Sequence, residues 1–201
     1  MPFYNEIAHT PLFIWDPRSG KEGERRQSLV QTIDIAPTLL EYFSVDIPDD
    51  MQGIPLKDTI KSDKPIREAA LYGLHGGHVN CTDGRYVYMR APVSPDNIPL
   101  YEYTLMPTHM REMFSVEELS NMDLAEPFSF TKGLQTMKIQ GRGGSWTKAH
   151  DYGTLLFDLE QDPKQQDPVN DKEIEKEMIG KLKKLMKESD APKEQYKRLG
   201  L

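Results

Sequence analysis

Ile174, Met178, Leu182, Leu185 and Met186 fall on one stripe of a helix predicted over residues 173–188, with lysines and glutamates on its other faces. A helix patterned this way is stable only when an apolar surface covers the stripe, and short β-runs upstream offer such a surface. In residues 71–90, LYGLHGGHVNCTDGRYVYMR, the β-branched and aromatic positions Tyr72, Leu74, Val79, Cys81, Tyr86 and Tyr88 read as two paired strands, and Asp83-Gly84 is a strong hairpin signal. GTLLFDLEQDP reads as another strand ending in a turn, and SVEELSNM as a short helix opened by Ser115 with Glu118 as its capping-box partner. The expectation for residues 66–201 is therefore an α+β module, an antiparallel sheet with a packed C-terminal helix.

Residues 1–65 have a different texture. Leu12, Phe13, Ile14 and Trp15 form a short apolar run closed by Asp16-Pro17, the pattern of a strand buried on both faces of a parallel sheet. A polar loop follows, and then Ile33, Ala36, Leu40 and Phe43 at helical spacing, with Asp34 and Pro37 early in the helix where they are tolerated. One strand and one helix cannot cover both faces of a sheet, so this stretch reads as the α/β tail of a larger domain. A boundary is drawn in the polar, proline-bearing KDTIKSDKPIRE, and the span LAEPFSFTKGLQTMKIQGRGGSWTKAHDYG is expected to be mostly loop.

The formal net charge of -7 over 201 residues leaves no basic stripe for nucleic acid or an anionic membrane surface. The lysines of KLKKLMK alternate with apolar positions, are matched by the glutamates of KEIEKE, and form a solvated helix face. One cysteine excludes an intrachain disulfide framework and a cysteine-rich zinc site. No apolar run approaches the roughly 20 residues of a membrane helix, and no signal peptide opens the chain.

Several residues invite chemistry. His75 and His78 flank Gly76-Gly77 and could hold a metal, line a substrate-facing loop through close backbone approach at the glycines, or be incidental to a hairpin. A metal would need further ligands, and the nearest acid, Asp83, lies across the turn. Cys81 could be a nucleophile, but a mid-strand position lacks the helix N-terminus or cation that lowers a thiol pKa, so packing is favoured. GRGGSW, residues 141–146, could cradle an anion on backbone N–H groups but lacks P-loop spacing, which favours a plain loop. No catalytic nucleophile emerges from these patterns.

The order of several segments resembles the C-terminal part of the sulfatase family, within the alkaline-phosphatase superfamily. The segments are FYNEIAHTPLFIWDP, then VQTIDIAPTLLEYFSVDIPDDMQGIPL, then TDGRYVYMR with TLLFDLEQDPKQQDPVND, and finally APKEQYKRLGL. The resemblance implies a large α/β domain followed by a smaller domain with an antiparallel sheet and a packed helix. It also implies hydrolysis of sulfate esters by a formylglycine made in a Cys/Ser-x-Pro/Ala-x-Arg motif, with calcium or another divalent cation held by Asp and Asn side chains. This sequence departs from that pattern: the motif is missing, Cys81 sits in CTDGR, and the paired-aspartate and Asp-His-Gly metal segments do not occur.

The expectations are therefore a C-terminal fragment of a sulfatase-like hydrolase, inactive alone, with no catalytic residue or metal ligand of its own. Its pocket rim is expected at His75, Gly76, Gly77 and His78, and its substrate in the parent enzyme is a sulfate ester. A phosphonate- or phosphodiester-hydrolysing relative, and a non-catalytic interaction module that kept the fold, are the competing readings. Because residues 12–15 would lack their cover, self-association through residues 9–44 is expected.

Overall fold

A computed structural model of the protein describes residues 2–141 and 148–201. In chain order the elements are α1 (Asn5–Ala8), α2 (Ile35–Tyr42), α3 (Lys57–Ser62), β1 (Ala70–Gly73), β2 (Val79–Thr82), β3 (Tyr86–Arg90), β4 (Tyr101–Thr104), α4 (Val116–Ser120), β5 (Asp123–Ala125), β6 (Thr136–Gln140), α5 (Ala149–Tyr152), β7 (Leu155–Asp158), α6 (Lys172–Glu188) and α7 (Lys193–Leu199). Two antiparallel sheets result, one in the order β1-β2-β3-β7 and one in the order β4-β6-β5. No helix among the described residues is long and apolar enough to cross a membrane.

The first sheet is organised by the Asp83-Gly84 turn. The Asp83 carboxylate accepts the backbone N–H groups of Arg85 at 3.1 Å and Tyr86 at 2.7 Å, and Gly84 takes a φ of 97° that a side chain would resist. This sets the register in which Cys81 faces Tyr88 and, one strand further on, Val87 faces Phe157. The pleat then sends alternate residues to opposite faces, and both faces are covered. Cys81, Tyr88 and Leu156 pack under Met178, Leu182 and Met186 of α6 and Leu199 of α7. On the far face Val87, Met89 and Phe157 pack with Tyr4 from the start of the chain, whose ring meets Phe157 edge-on at 6.1 Å. The expected stripe of α6 is thus the stripe that is buried, and Asp171 caps the helix by accepting from Glu173 and Ile174. The capping box of Ser115 and Glu118 also forms as expected.

Residues 71–90 differ in one respect from the two-strand reading. They form parts of three strands, because residues 74–78 make a turn of their own between β1 and β2. The span after Leu124 also departs from the expected loop, since β6 is the central strand of the second sheet, flanked by β4 and β5. TMKIQ shows no two-residue alternation, its buried Thr136 and Ile139 being three positions apart, and its strand character comes from pairing with Tyr101–Thr104 far upstream. The segment KDTIKSDKPIRE, where a boundary is expected, carries a short helix of its own, α3.

The strand expected at residues 12–15 does not form. Among the described residues no β-segment pairs with it, and its side chains face solvent: Leu12 is 45% exposed, Phe13 94%, Ile14 41% and Trp15 76%. The predicted helix is present as α2, preceded by a 3₁₀ turn at Thr32–Asp34, but it buries Asp34, Pro37 and Thr38 and leaves Ile33, Leu39 and Phe43 outside. Asp34 explains this orientation. Its fully buried carboxylate accepts a bidentate fork from Arg67, at 2.6 Å on each oxygen, and the N–H groups of Gln31 at 2.7 Å and Ile54 at 2.9 Å. The approach of residues 53–56 to α2 is so close that a Cβ on Gly53 would lie 2.0 Å from the Ile33 carbonyl oxygen. Beyond that contact, the Leu56 N–H donates to the Thr38 hydroxyl at 3.0 Å.

Candidate functional site

The turn at residues 74–78 begins from β1 and ends in β2, so it sits at one end of the buried sheet. Leu74 and Gly77 close it with an N–H to carbonyl bond of 2.9 Å. Gly73 enters it at a φ of 145°, where a Cβ would stand 2.7 Å from the His78 carbonyl oxygen. Only His75 of the four expected rim residues reaches solvent; Gly76, Gly77 and His78 are buried.

His75, Gly76, Gly77 and His78 are each tied to a different part of the chain. The Nε2 of His75 lies 3.1 Å from the Tyr101 carbonyl oxygen, and that of His78 lies 2.9 Å from the Gly153 carbonyl oxygen. A carbonyl can only accept, so each Nε2 carries the proton. Asn97 donates its Nδ2 to the Gly76 carbonyl at 2.7 Å. Arg198, from α7 and only 2% exposed, donates to the Gly77 carbonyl at 3.2 and 3.3 Å and to the Asn97 Oδ1 at 2.8 Å. The ring of His75 also packs so near Gly141 that a Cβ there would lie 3.0 Å from its Cε1.

The electrostatics follow from burial. Desolvation pushes the His78 pKa down, and the Arg198 charge adds to the effect, so His78 is held neutral. Arg198 is itself pushed down to about 10 by desolvation, which still leaves it charged at neutral pH. Among the described residues no carboxylate forms an ion pair with it, and its partners are the neutral oxygens of Gly77, Asn97 and Gln195. Beside the turn lies an open depression of about 300 Å³ lined by Ile98, Pro99, Leu100, Tyr101, Gln140 and Lys197.

This geometry bears on each chemical candidate. His75 and His78 spend their Nε2 atoms on carbonyls of different loops, and among the described residues no three His, Cys, Asp or Glu side chains converge as a metal site. The described residues therefore do not fit a calcium or other divalent cation. Cys81 is completely buried between β1 and β3 under α6, and desolvation pushes its thiol up to about 12. A thiol in that setting is a packing group and is not a precursor for a surface nucleophile. Residues 142–146, the bulk of the GRGGSW segment, lie outside the described residues.

Asn97, Tyr101, Gly153 and Arg198 complete the turn, and none of them belongs to a local pattern that singles it out. Asn97 sits in a Ser-Pro-Asp-Asn turn and Arg198 among the alternating charges of the last helix, so only the folded chain brings them to Gly76 and Gly77.

The family model described as N-sulphoglucosamine sulphohydrolase, C-terminal, matches residues 2–125. An arylsulfatase of Clostridium perfringens (strain 13 / Type A) is 35% identical over 75 residues, which is 36% of this chain and 16% of that protein. An N-acetylglucosamine-6-O-sulfatase of Bacteroides thetaiotaomicron is 33% identical over 73 residues, 34% of this chain and 13% of the other. A solved structure of a protein in complex with its substrate D-glucosamine-2-N,6-O-disulfate aligns over 80% of this chain and 24% of its own, with 15% identity and a TM-score of 0.44. The aligned chain thus spans well under a quarter of the length of the curated relatives it matches.

Proposed function

Because the chain belongs to the N-sulphoglucosamine sulphohydrolase C-terminal family, a C-terminal portion of sulfatases, we propose that it serves as the rim and support of a sulfate-ester hydrolase whose catalytic groups are supplied by other residues. The family match over residues 2–125 carries this reading. A sulfate-ester transition state needs an activated oxygen nucleophile, a cation to take up charge, and a donor for the leaving oxygen. In sulfatases the first two are a formylglycine and a divalent cation, and the described residues of this chain offer a fitting place for neither. Alone, the chain is inactive.

Within that role His75 is the rim residue. It is the exposed member of the 75–78 turn, and its Nε2 is fixed by the Tyr101 carbonyl. The substrate class is a sulfate ester, and N-acetylglucosamine 6-sulfate is the first compound to test, on the strength of the Bacteroides relative. Residues 1–65 are the end of the α/β catalytic domain and residues 66–201 the C-terminal subdomain. The apolar surface of Phe13, Trp15, Leu39 and Phe43 is the seam on which the remainder of such a domain packs. Without that cover, copies of the chain associate through residues 9–44.

The genomic DNA upstream of Met1 tests the reading most cheaply. An in-frame continuation encoding a Cys/Ser-x-Pro/Ala-x-Arg motif and the metal-binding aspartates is expected. A promoter and ribosome-binding site placed at Met1 would contradict it and favour an independent module that kept the fold.

A further inference from the structure

We infer that Arg198, acting with Asn97, is the positioning residue of the rim turn: the C-terminal helix fixes where His75 stands, from 123 positions away in the chain. This inference rests on the rim reading only for its functional meaning, since the positioning itself is a matter of geometry.

Three observations carry it. The Arg198 guanidinium uses both terminal nitrogens on one acceptor, the Gly77 carbonyl, at 3.2 and 3.3 Å, while its Nε is held by Gln195 at 2.9 Å. A planar fork anchored at its base in this way sets direction as well as distance. Asn97 then extends the fork by one residue, accepting from Arg198 at 2.8 Å and donating to the Gly76 carbonyl at 2.7 Å. Consecutive carbonyls of the turn are thus fixed by one relay.

The second observation is energetic. A buried guanidinium with no ion-pair partner among the described residues is costly to desolvate, and replacement by an apolar side chain would remove that cost. What Arg198 provides in return is the set of hydrogen bonds to the turn. The third is the attachment of α7 to the sheet. Arg198's own carbonyl accepts the Val93 N–H at 2.9 Å, and Arg90 donates from Nε to the Leu199 carbonyl at 2.7 Å and from a terminal nitrogen to the Gly200 carbonyl at 3.1 Å. The helix that holds the turn is itself clasped to β3 and the segment after it. The turn, Asn97 and the last helix are therefore joined by a continuous set of hydrogen bonds next to His75.

The substrate consequence is a positive charge held against the Gly77 carbonyl, with Lys197 exposed and lining the neighbouring depression. An anionic substituent on a sugar, a sulfate above all, is the chemical class that this arrangement favours next to His75.

The test uses the full chain, ¹⁵N-labelled, with Arg198→Lys and Asn97→Gly. Lysine keeps the charge and loses the fork; glycine keeps the φ of 54° at position 97 open and deletes the carboxamide. In both variants the amide resonances of His75, Gly76 and Gly77 are expected to move while those of β2 and β3 stay in place. N-acetylglucosamine 6-sulfate, followed through the His75 ring resonances, should bind about tenfold more weakly to each, the loss of roughly one oriented hydrogen bond. Turn resonances that do not move in either variant would overturn the inference, and so would displacement of the whole sheet, which would make Arg198 a general support. Should Arg198→Lys fail to fold, Asn97→Gly alone decides between the same two outcomes. A wild-type chain that shows no response to the sugar sulfate would sink the rim reading and leave the positioning result standing or falling by itself.

Discussion

Leu182 is where the packing of the sheet can be measured most cleanly. Its side chain has no exposed surface and lies among Cys81, Tyr88, Met178 and Leu199, so strand, helix and C-terminal helix meet on it. Leu182→Ala removes three carbons, worth about 2.4 kcal/mol at ~0.8 kcal/mol per buried methylene. The cavity adds to this, because neighbours contributed by separate elements cannot all close in, and a total of about 3 to 4 kcal/mol is expected. For a chain of this size that corresponds to a fall of about 6 to 16 °C in Tm. The comparison is Lys183→Ala, one residue along on the exposed side of α6, where a change within about 0.5 kcal/mol is expected. Thermal melts followed by circular dichroism, together with urea titrations, give both values. Equal shifts for the two variants would refute the assignment of the buried stripe.

Phe13→Asp puts a charge at the most exposed large apolar residue of the 12–15 segment, and sedimentation velocity should show a self-associating wild-type chain converted to a smaller species; a wild-type monomer at all concentrations would refute association through residues 9–44. Although burial alone pushes Asp34 up, the Arg67 fork and the N–H groups of Ile54 and Gln31 outweigh it and hold the carboxyl below its ordinary value. A folded-state pKa below the unfolded one gives stability that is present above about pH 4 and lost as pH falls through the folded value. Asp34→Asn should therefore cost about 3 kcal/mol at pH 7 and progressively less in acid, and denaturant curves that stay parallel down to acid pH would refute this. Cys81, pushed up to about 12 and fully buried, should react with a maleimide at pH 7 only after denaturant is added; labelling of the native chain at the rate of a free thiol would show that the site is open.

What could be read in the sequence was what local chemistry decides. Asp83-Gly84 makes its turn with its own side chain and backbone, Ser115 and Glu118 cap each other across one helical turn, and the α6 stripe repeats within a single element. The burial of Cys81 followed from its place in a strand. The second sheet was hidden because β6 gains its strand character from Tyr101–Thr104, more than thirty residues away, and five residues of TMKIQ do not announce that partner. Residues 12–15 misled for the opposite reason. Their composition is that of a buried strand, but burial needs covering elements, and among the described residues none pairs with them. Around His75 the glycines and histidines stood out, whereas Asn97 and Arg198, which hold them, are ordinary polar residues until the fold brings their side chains to the turn.

Sulfate release by the purified chain from an aryl sulfate, with calcium added and Cys81→Ser assayed beside it, tests most directly whether this is a rim without a catalytic centre. Release at the uncatalysed background is expected from both proteins. Turnover above background that disappears in Cys81→Ser would contradict it, because the buried thiol would then be a nucleophile and the chain an enzyme in its own right.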